Sequence, residues 1–137
     1  MGVLSLEDIK LNSIEPLMKS RVFVTISEPF NIPKHVVRKV SSISYRNDKW
    51  DNIKIEMYNP VVPNVPSLIV EGLEKLKKRY YQTSIFFHFL NPVGDIVSEW
   101  EIKGQIKSID FSDLGWDKNE PIIITFNFEV WNLKVNL

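Results

Sequence analysis

The alternation of apolar and polar positions predicts a chain built mainly from β-strands, with one helix. Arg21–Ser27 (RVFVTIS) is rich in β-branched residues and predicts a strand stopped by Glu28-Pro29. His35–Tyr45 (HVVRKVSSISY) predicts a second strand, and Arg46–Lys49 a polar turn. Trp50–Tyr58 alternates cleanly, with Ile53, Ile55 and Met57 on the inward side and Asn52, Lys54 and Glu56 outward. Asn59–Pro66 (NPVVPNVP) holds three prolines and reads as a stiff, extended connector.

A helix is expected next. Asn64 is placed to cap it, and Pro66 is tolerated in its first turn. Ile69, Leu73, Leu76 and Tyr80 form a stripe at helical spacing, and Lys75, Lys77, Lys78 and Arg79 suit the negative end of the helix dipole. Gly72 on that stripe costs about 1 kcal/mol relative to alanine and points to close packing of the helix on a sheet.

The remainder reads as β. Thr83–Leu90 and Ile96–Lys103 flank the turn Asn91–Asp95, Gly104–Phe111 continues as a strand, and Ser112–Glu120 is a turn-rich loop. In Pro121–Asn136, Ile122, Ile124, Phe126, Phe128 and Val130 share one parity. The phase flips at Val130-Trp131, after which Trp131, Leu133 and Val135 are the apolar set. Such a flip marks a bulge or a change of partner sheet. Met1–Ser20 has apolar residues at no sustained period and reads either as an arm with one helical turn or as a loose terminus. The expected architecture is mainly β (α+β): an antiparallel β-barrel or sandwich over residues 21–137 with one flanking α-helix, preceded by the arm 1–20.

Composition narrows the function. A chain of 137 residues fits one domain, and 44% apolar with 25% charged residues matches a soluble globular protein. Net charge is zero, which gives the whole molecule no electrostatic grip on nucleic acid or an anionic membrane. No apolar run approaches the roughly 20 residues of a membrane helix, and Glu7 and Asp8 break the pattern of a signal peptide. The expected site of action is therefore a cytoplasm. Cysteine is absent, so disulfides, thiolate metal sites and a cysteine nucleophile are excluded.

Candidate chemistry is sparse. His35 and His88 fall in expected strands with no metal-ligand spacing around them; His88 could serve as a general base, but a strand histidine between Phe87 and Phe89 is more often packing or surface. Glu99 and Glu101 share a strand face, as acid/base pairs do, yet nothing else converges on them. Asp110, Asp113 and Asp117 lack the spacing of a calcium loop. The five glycines are scattered singly, and Lys75–Arg79 reads as a solvated helix end. No cofactor or metal is expected.

Charge is unevenly distributed. Lys19–Lys49 holds seven basic and two acidic residues, whereas Asn91–Glu120 holds seven acidic and three basic ones. Either copies dock head to tail through these regions, or the two patches lie side by side and cancel.

The stretch Val97–Trp131 (VSEWEIKGQIKSIDFSDLGWDKNEPIIITFNFEVW) resembles the tail tube proteins of contractile-tailed phages. An aromatic followed by Glu-Ile-Lys-Gly (Trp100–Gly104), then Trp116-Asp117-x-Asn119-Glu120 and the long alternating terminal strand, falls at similar spacing. Phe23–Ile26, the Trp50–Asn59 strand and the Leu68–Tyr80 helix come in the family's order. The resemblance implies a barrel-like subunit, six of which join sheets into a ring, with rings stacking around a channel for the genome. Related proteins form baseplate rings, and the type VI secretion tube is a structural cousin.

On that resemblance the expected partners are the chain itself, as a hexameric ring, and other tail proteins of the baseplate, sheath or terminator. DNA meets it only by passage through the lumen, and no membrane is involved. Its place is the virion tail, assembled in the host cytoplasm. Trp50, Trp100, Glu101, Lys103, Trp116, Asp117 and Trp131 are candidate interface residues, and Thr125, Asn127 and Glu129 are candidates to face the lumen. One departure is that only Arg46–Lys49 stands where tube subunits carry a long hairpin, which favours a specialised ring at the baseplate or tail end. The competing readings are a small β-barrel module binding a ligand or carbohydrate through Trp100 and Trp116, and an enzyme acting through Glu99, Glu101 or His88.

Overall fold

The computed structural model describes residues 21–78, 82–115 and 119–136. The arm 1–20, Tyr80, Trp116 and Asp117 lie outside them. In chain order the elements are β1 (Val22–Ile26), β2 (Val37–Val40), β3 (Tyr45–Arg46), β4 (Lys49–Trp50), β5 (Ile53–Tyr58), α1 (Val65–Lys78), β6 (Thr83–Leu90), β7 (Ile96–Phe111) and β8 (Ile123–Val135). Six strands form one antiparallel sheet in the order β1-β6-β7-β8-β5-β2, and β3 and β4 form a separate two-stranded ribbon. The edges β1 and β2 come back into contact, so the sheet coils into a nearly closed barrel with a single helix, as the strand and helix pattern predicts.

Period-2 alternation decides what fills the barrel. Ile53, Ile55 and Met57 of β5, Ile85 and Phe87 of β6, Ile102 of β7 and Ile124, Phe126, Phe128 and Val130 of β8 all turn inward and are buried. The turn between β6 and β7 closes as expected. The Asn91 side chain accepts hydrogen bonds from the Val93 and Asp95 amides at 3.1 and 2.9 Å, and Gly94 supplies a φ of 93°. Ile96–Lys103 and Gly104–Phe111 are one continuous strand rather than two.

The phase flip in β8 is a bulge. Gly104 pairs with Val130 and Lys103 with Asn132, which leaves Trp131 as the extra residue. Beyond it Leu133 pairs with the buried Ile102 and packs against the core. Trp131 does not join that inward set: it is 40% exposed.

Two expectations are corrected by packing. The His35–Tyr45 strand is shorter than its β-branched content suggests, spanning Val37–Val40. The segment before it, between β1 and β2, contributes Phe30, Ile32 and Val36 to the core instead. The helix begins where Asn64 caps it, with its Oδ1 accepting from the Ser67 amide at 3.1 Å. Ile69, Gly72 and Leu76 of the expected stripe face the core, joined by Val65, but Leu73 is exposed. The close approach at Gly72 is to the ring of Phe30, not to a strand: a Cβ there would lie 2.5 Å from Phe30 Cδ1. Phe30 in turn packs on Phe126 of β8, ring centroids 5.2 Å apart, and so couples helix to sheet.

Candidate functional site

Residues that alternate with the core set cover the outer face of the sheet with polar groups. On β8 these are Thr125, Asn127 and Glu129, all half-buried and sharing one side. Thr125 stands in register between Asp110 of β7 and Glu56 of β5. Asn127 donates to Ser108 Oγ at 2.7 Å and Asp110 Oδ2 at 3.0 Å. Glu129 accepts from Gln105 Nε2 at 3.0 Å and from Lys107 Nζ at 3.1 Å. The Gln105 hydrogen bond and then that of Lys107 hold the Glu129 carboxyl below the usual glutamate range against the cost of desolvation, with the Lys107 charge and a further hydrogen bond from Trp131 adding to them.

Toward β6 the polar row continues. His88 Nε2 lies 2.8 Å from Glu99 Oε1, and Asn136 Nδ2 donates to Glu99 Oε2 at 3.0 Å. Ser84 donates to Glu101 Oε2 at 3.1 Å, and Lys103 Nζ stands 4.0 Å from the same oxygen. His88 and Glu99 are eleven residues apart, so spacing along the chain does not reveal them as a pair; cross-strand register does. Phe86 stacks along the imidazole, with centroids 6.4 Å apart. These carboxylates already hold partners across the strands, and no group of three or more His, Cys, Asp or Glu side chains able to hold a metal occurs among the described residues.

Of the expected interface residues, Glu101 and Lys103 lie on this polar face, while Trp100 packs against the core with its ring centroid 4.6 Å from that of Phe89. Trp50 and Trp131, separated by 81 positions in sequence, come together. The hairpin β3–β4 turns through Asn47 and Asp48, both left-handed at φ 55° and 62°, as a two-residue turn requires. It lies beside β8 and frames an open groove lined by Tyr45, Trp50, Trp131, Lys107 and Glu129 among others. The Tyr45 and Trp50 rings meet edge-on at 5.0 Å. The gap expected to be bridged by a plain polar turn thus carries a short hairpin of its own.

The sequence matches no protein-family model and no curated protein. The fold does match solved structures, at low identity. A chain of an extracellular contractile injection system, the PVC sheath–tube complex in its extended state, superposes with a TM-score of 0.66 at 14% identity, covering 96% of this chain and 99% of that one. A chain of the PVC sheath/tube terminator gives 0.63 at 14% identity over 91% and 99%. A chain of the anti-feeding prophage baseplate gives 0.60 at 14% identity over 90% and 97%.

Proposed function

We propose that this chain is a structural, ring-forming subunit of a contractile tail or a tail-derived injection machine, in the tube or in a specialised ring at the baseplate or tail end. The observation that carries the reading is the near end-to-end correspondence of its fold with chains of such assemblies, this chain and theirs being covered almost completely. In this reading the sheets of six copies join, Thr125, Asn127 and Glu129 face the channel, and Glu101, Lys103, Trp50 and Trp131 lie at subunit contacts; Trp116 and Asp117, outside the described residues, are further candidates for that role. As the terminal strands of the sheet, β1 and β2 are the edges a neighbour's strand would extend.

The outer face suits a channel wall. Asn127 and Glu129 are bonded to neighbouring side chains, and Lys107 stands beside Glu129 rather than forming a single-sign surface. A cargo would slide past such a wall instead of binding to it. The hairpin Tyr45–Trp50 is short, which favours a specialised ring over a repeating tube. The partners are other copies and the tail proteins above and below, the place of action is the assembled particle, built in the host cytoplasm, and no catalytic step is involved.

The test is mass by light scattering and sedimentation over a concentration series, alone and with purified tail proteins of the same particle. The expected result is a discrete oligomer, hexameric in mass. A strictly monomeric species under all these conditions overturns the reading.

A further inference from the structure

The chain segregates its charges along the sequence, and the fold keeps them apart. Arg38 and Lys39 stand on β2, with Lys34 shortly before it, and all three are exposed. Asp110, near the end of β7, and Asp113 and Glu120 of the loop that follows are exposed as well. Among the described residues no ion pair joins the first group to the second, and none of the six has an ion-pair partner elsewhere. Lys34 lies over the Phe23 ring at 4.6 Å and Arg38 over that of Tyr58 at 5.2 Å, contacts that leave the positive charge uncompensated. Asp110 accepts only from the neutral Asn127 amide.

Register explains the separation. Asp110, Thr125, Glu56 and Lys39 form one row across β7, β8, β5 and β2. Three strand spacings of ~4.8 Å put the ends of that row about 14 Å apart, beyond the ~8 Å screening length at physiological ionic strength. Both ends of the row are edges. β6 pairs with β7 only as far as Gly104, so residues 105–111 have a strand on the β8 side alone. β2 is the terminal strand of the sheet; β1 approaches it but shares no ladder with it. The strands between alternate in direction, so a second copy set down in the same orientation brings its β2 antiparallel to this β7, with polar face continuing polar face.

We propose that the basic β2 edge of one copy docks against the acidic β7 edge of the next, with Lys34, Arg38 and Lys39 facing Asp110, Asp113 and Glu120 across the joint. Opposite charges select which edges meet, and like charges oppose β2 against β2 or β7 against β7. The contact is heterologous: repeated, it closes a ring or continues as a stack. The inference rests on the self-assembling reading above and specifies the surfaces that join.

Charge reversal tests it, read by sedimentation and light scattering, with a melting curve to show that each variant folds. Arg38→Glu/Lys39→Glu and, separately, Asp110→Lys/Asp113→Lys are each expected to weaken self-association about tenfold or more. All four changes in one chain restore opposite signs across the joint and are expected to return association close to that of the natural chain. Unchanged association in either reversal, or no recovery in the combined chain, overturns this inference and leaves the structural-subunit reading standing. A natural chain that never associates overturns both. The natural chain also supplies an arm that needs no variant: added sodium chloride is expected to weaken its association, and association indifferent to salt overturns the inference.

Discussion

Gly104 lies against the backbone of Glu129, in register with Val130, at the point where β8 inserts Trp131 as the extra residue of a bulge. The two features need each other. The bulge brings the β8 backbone so near that any Cβ at position 104 would run into the Glu129 carbonyl oxygen, with the Phe128 ring 2.8 Å away on another side. The same bulge leaves Trp131 exposed at the groove.

Gly104→Ala is therefore expected to lose about 2–3 kcal/mol of stability through overpacking against backbone that cannot retreat. Denaturant unfolding measures the loss. Because the bulge positions Trp131, a shift in tryptophan emission of the folded variant should accompany it. Full stability in Gly104→Ala contradicts the packing described.

Phe30 links Gly72 of the helix to Phe126 of the sheet. Phe30→Ala empties a fully buried site and is expected to cost about 3–5 kcal/mol. Gly72→Ala gains about 1 kcal/mol of helix propensity but drives its methyl into the Phe30 ring, for a net loss. Combined with Phe30→Leu, which leaves room, that loss should shrink, a coupling that a double-mutant cycle reads directly.

Much of this was legible from local pattern. The inward sets of β5 and β8, the Asn64 cap, the Asn91–Asp95 turn and the flip at Trp131 each depend on residues near in sequence whose spacing reports one geometry. Phe30, Ile32 and Val36 were not legible as core, because they enter it from the connection between β1 and β2, which Pro29 and Pro33 interrupt and which has no regular period. On the helix, Ile69, Gly72 and Leu76 face the core as their spacing predicts, and Leu73 alone departs, left largely exposed where Phe30 packs on Gly72. Thr125, Asn127 and Glu129 share a face by strand parity alone. The groove and the His88–Glu99 pair depend on tertiary register between distant strands, which no spacing rule reveals.

Glu129 carries a pH dependence of stability. Its folded-state pKa is depressed, first by the Gln105 hydrogen bond and then by Lys107, so the stabilisation it supplies is present above the unfolded value and is lost as pH falls through the folded one. Glu129→Gln should reduce stability at neutral pH, with the difference from the natural chain constant down to the ordinary glutamate range and shrinking in more acid solution. A difference that grows on acidification contradicts the sign.

Asn64→Ala removes the acceptor for the Ser67 amide and is expected to cost about 1 kcal/mol. Thermal unfolding followed by far-ultraviolet circular dichroism checks it, and Asn64→Asp should retain most of the stability.

The central claim, that this chain builds rings, is tested most directly by negative-stain electron microscopy of the purified protein at increasing concentration, with and without the other tail proteins of its particle. The account expects end-on views of sixfold rings with an open centre, as isolated rings or short stacks. Fields of featureless monomer-sized particles at every concentration and with every partner would contradict it.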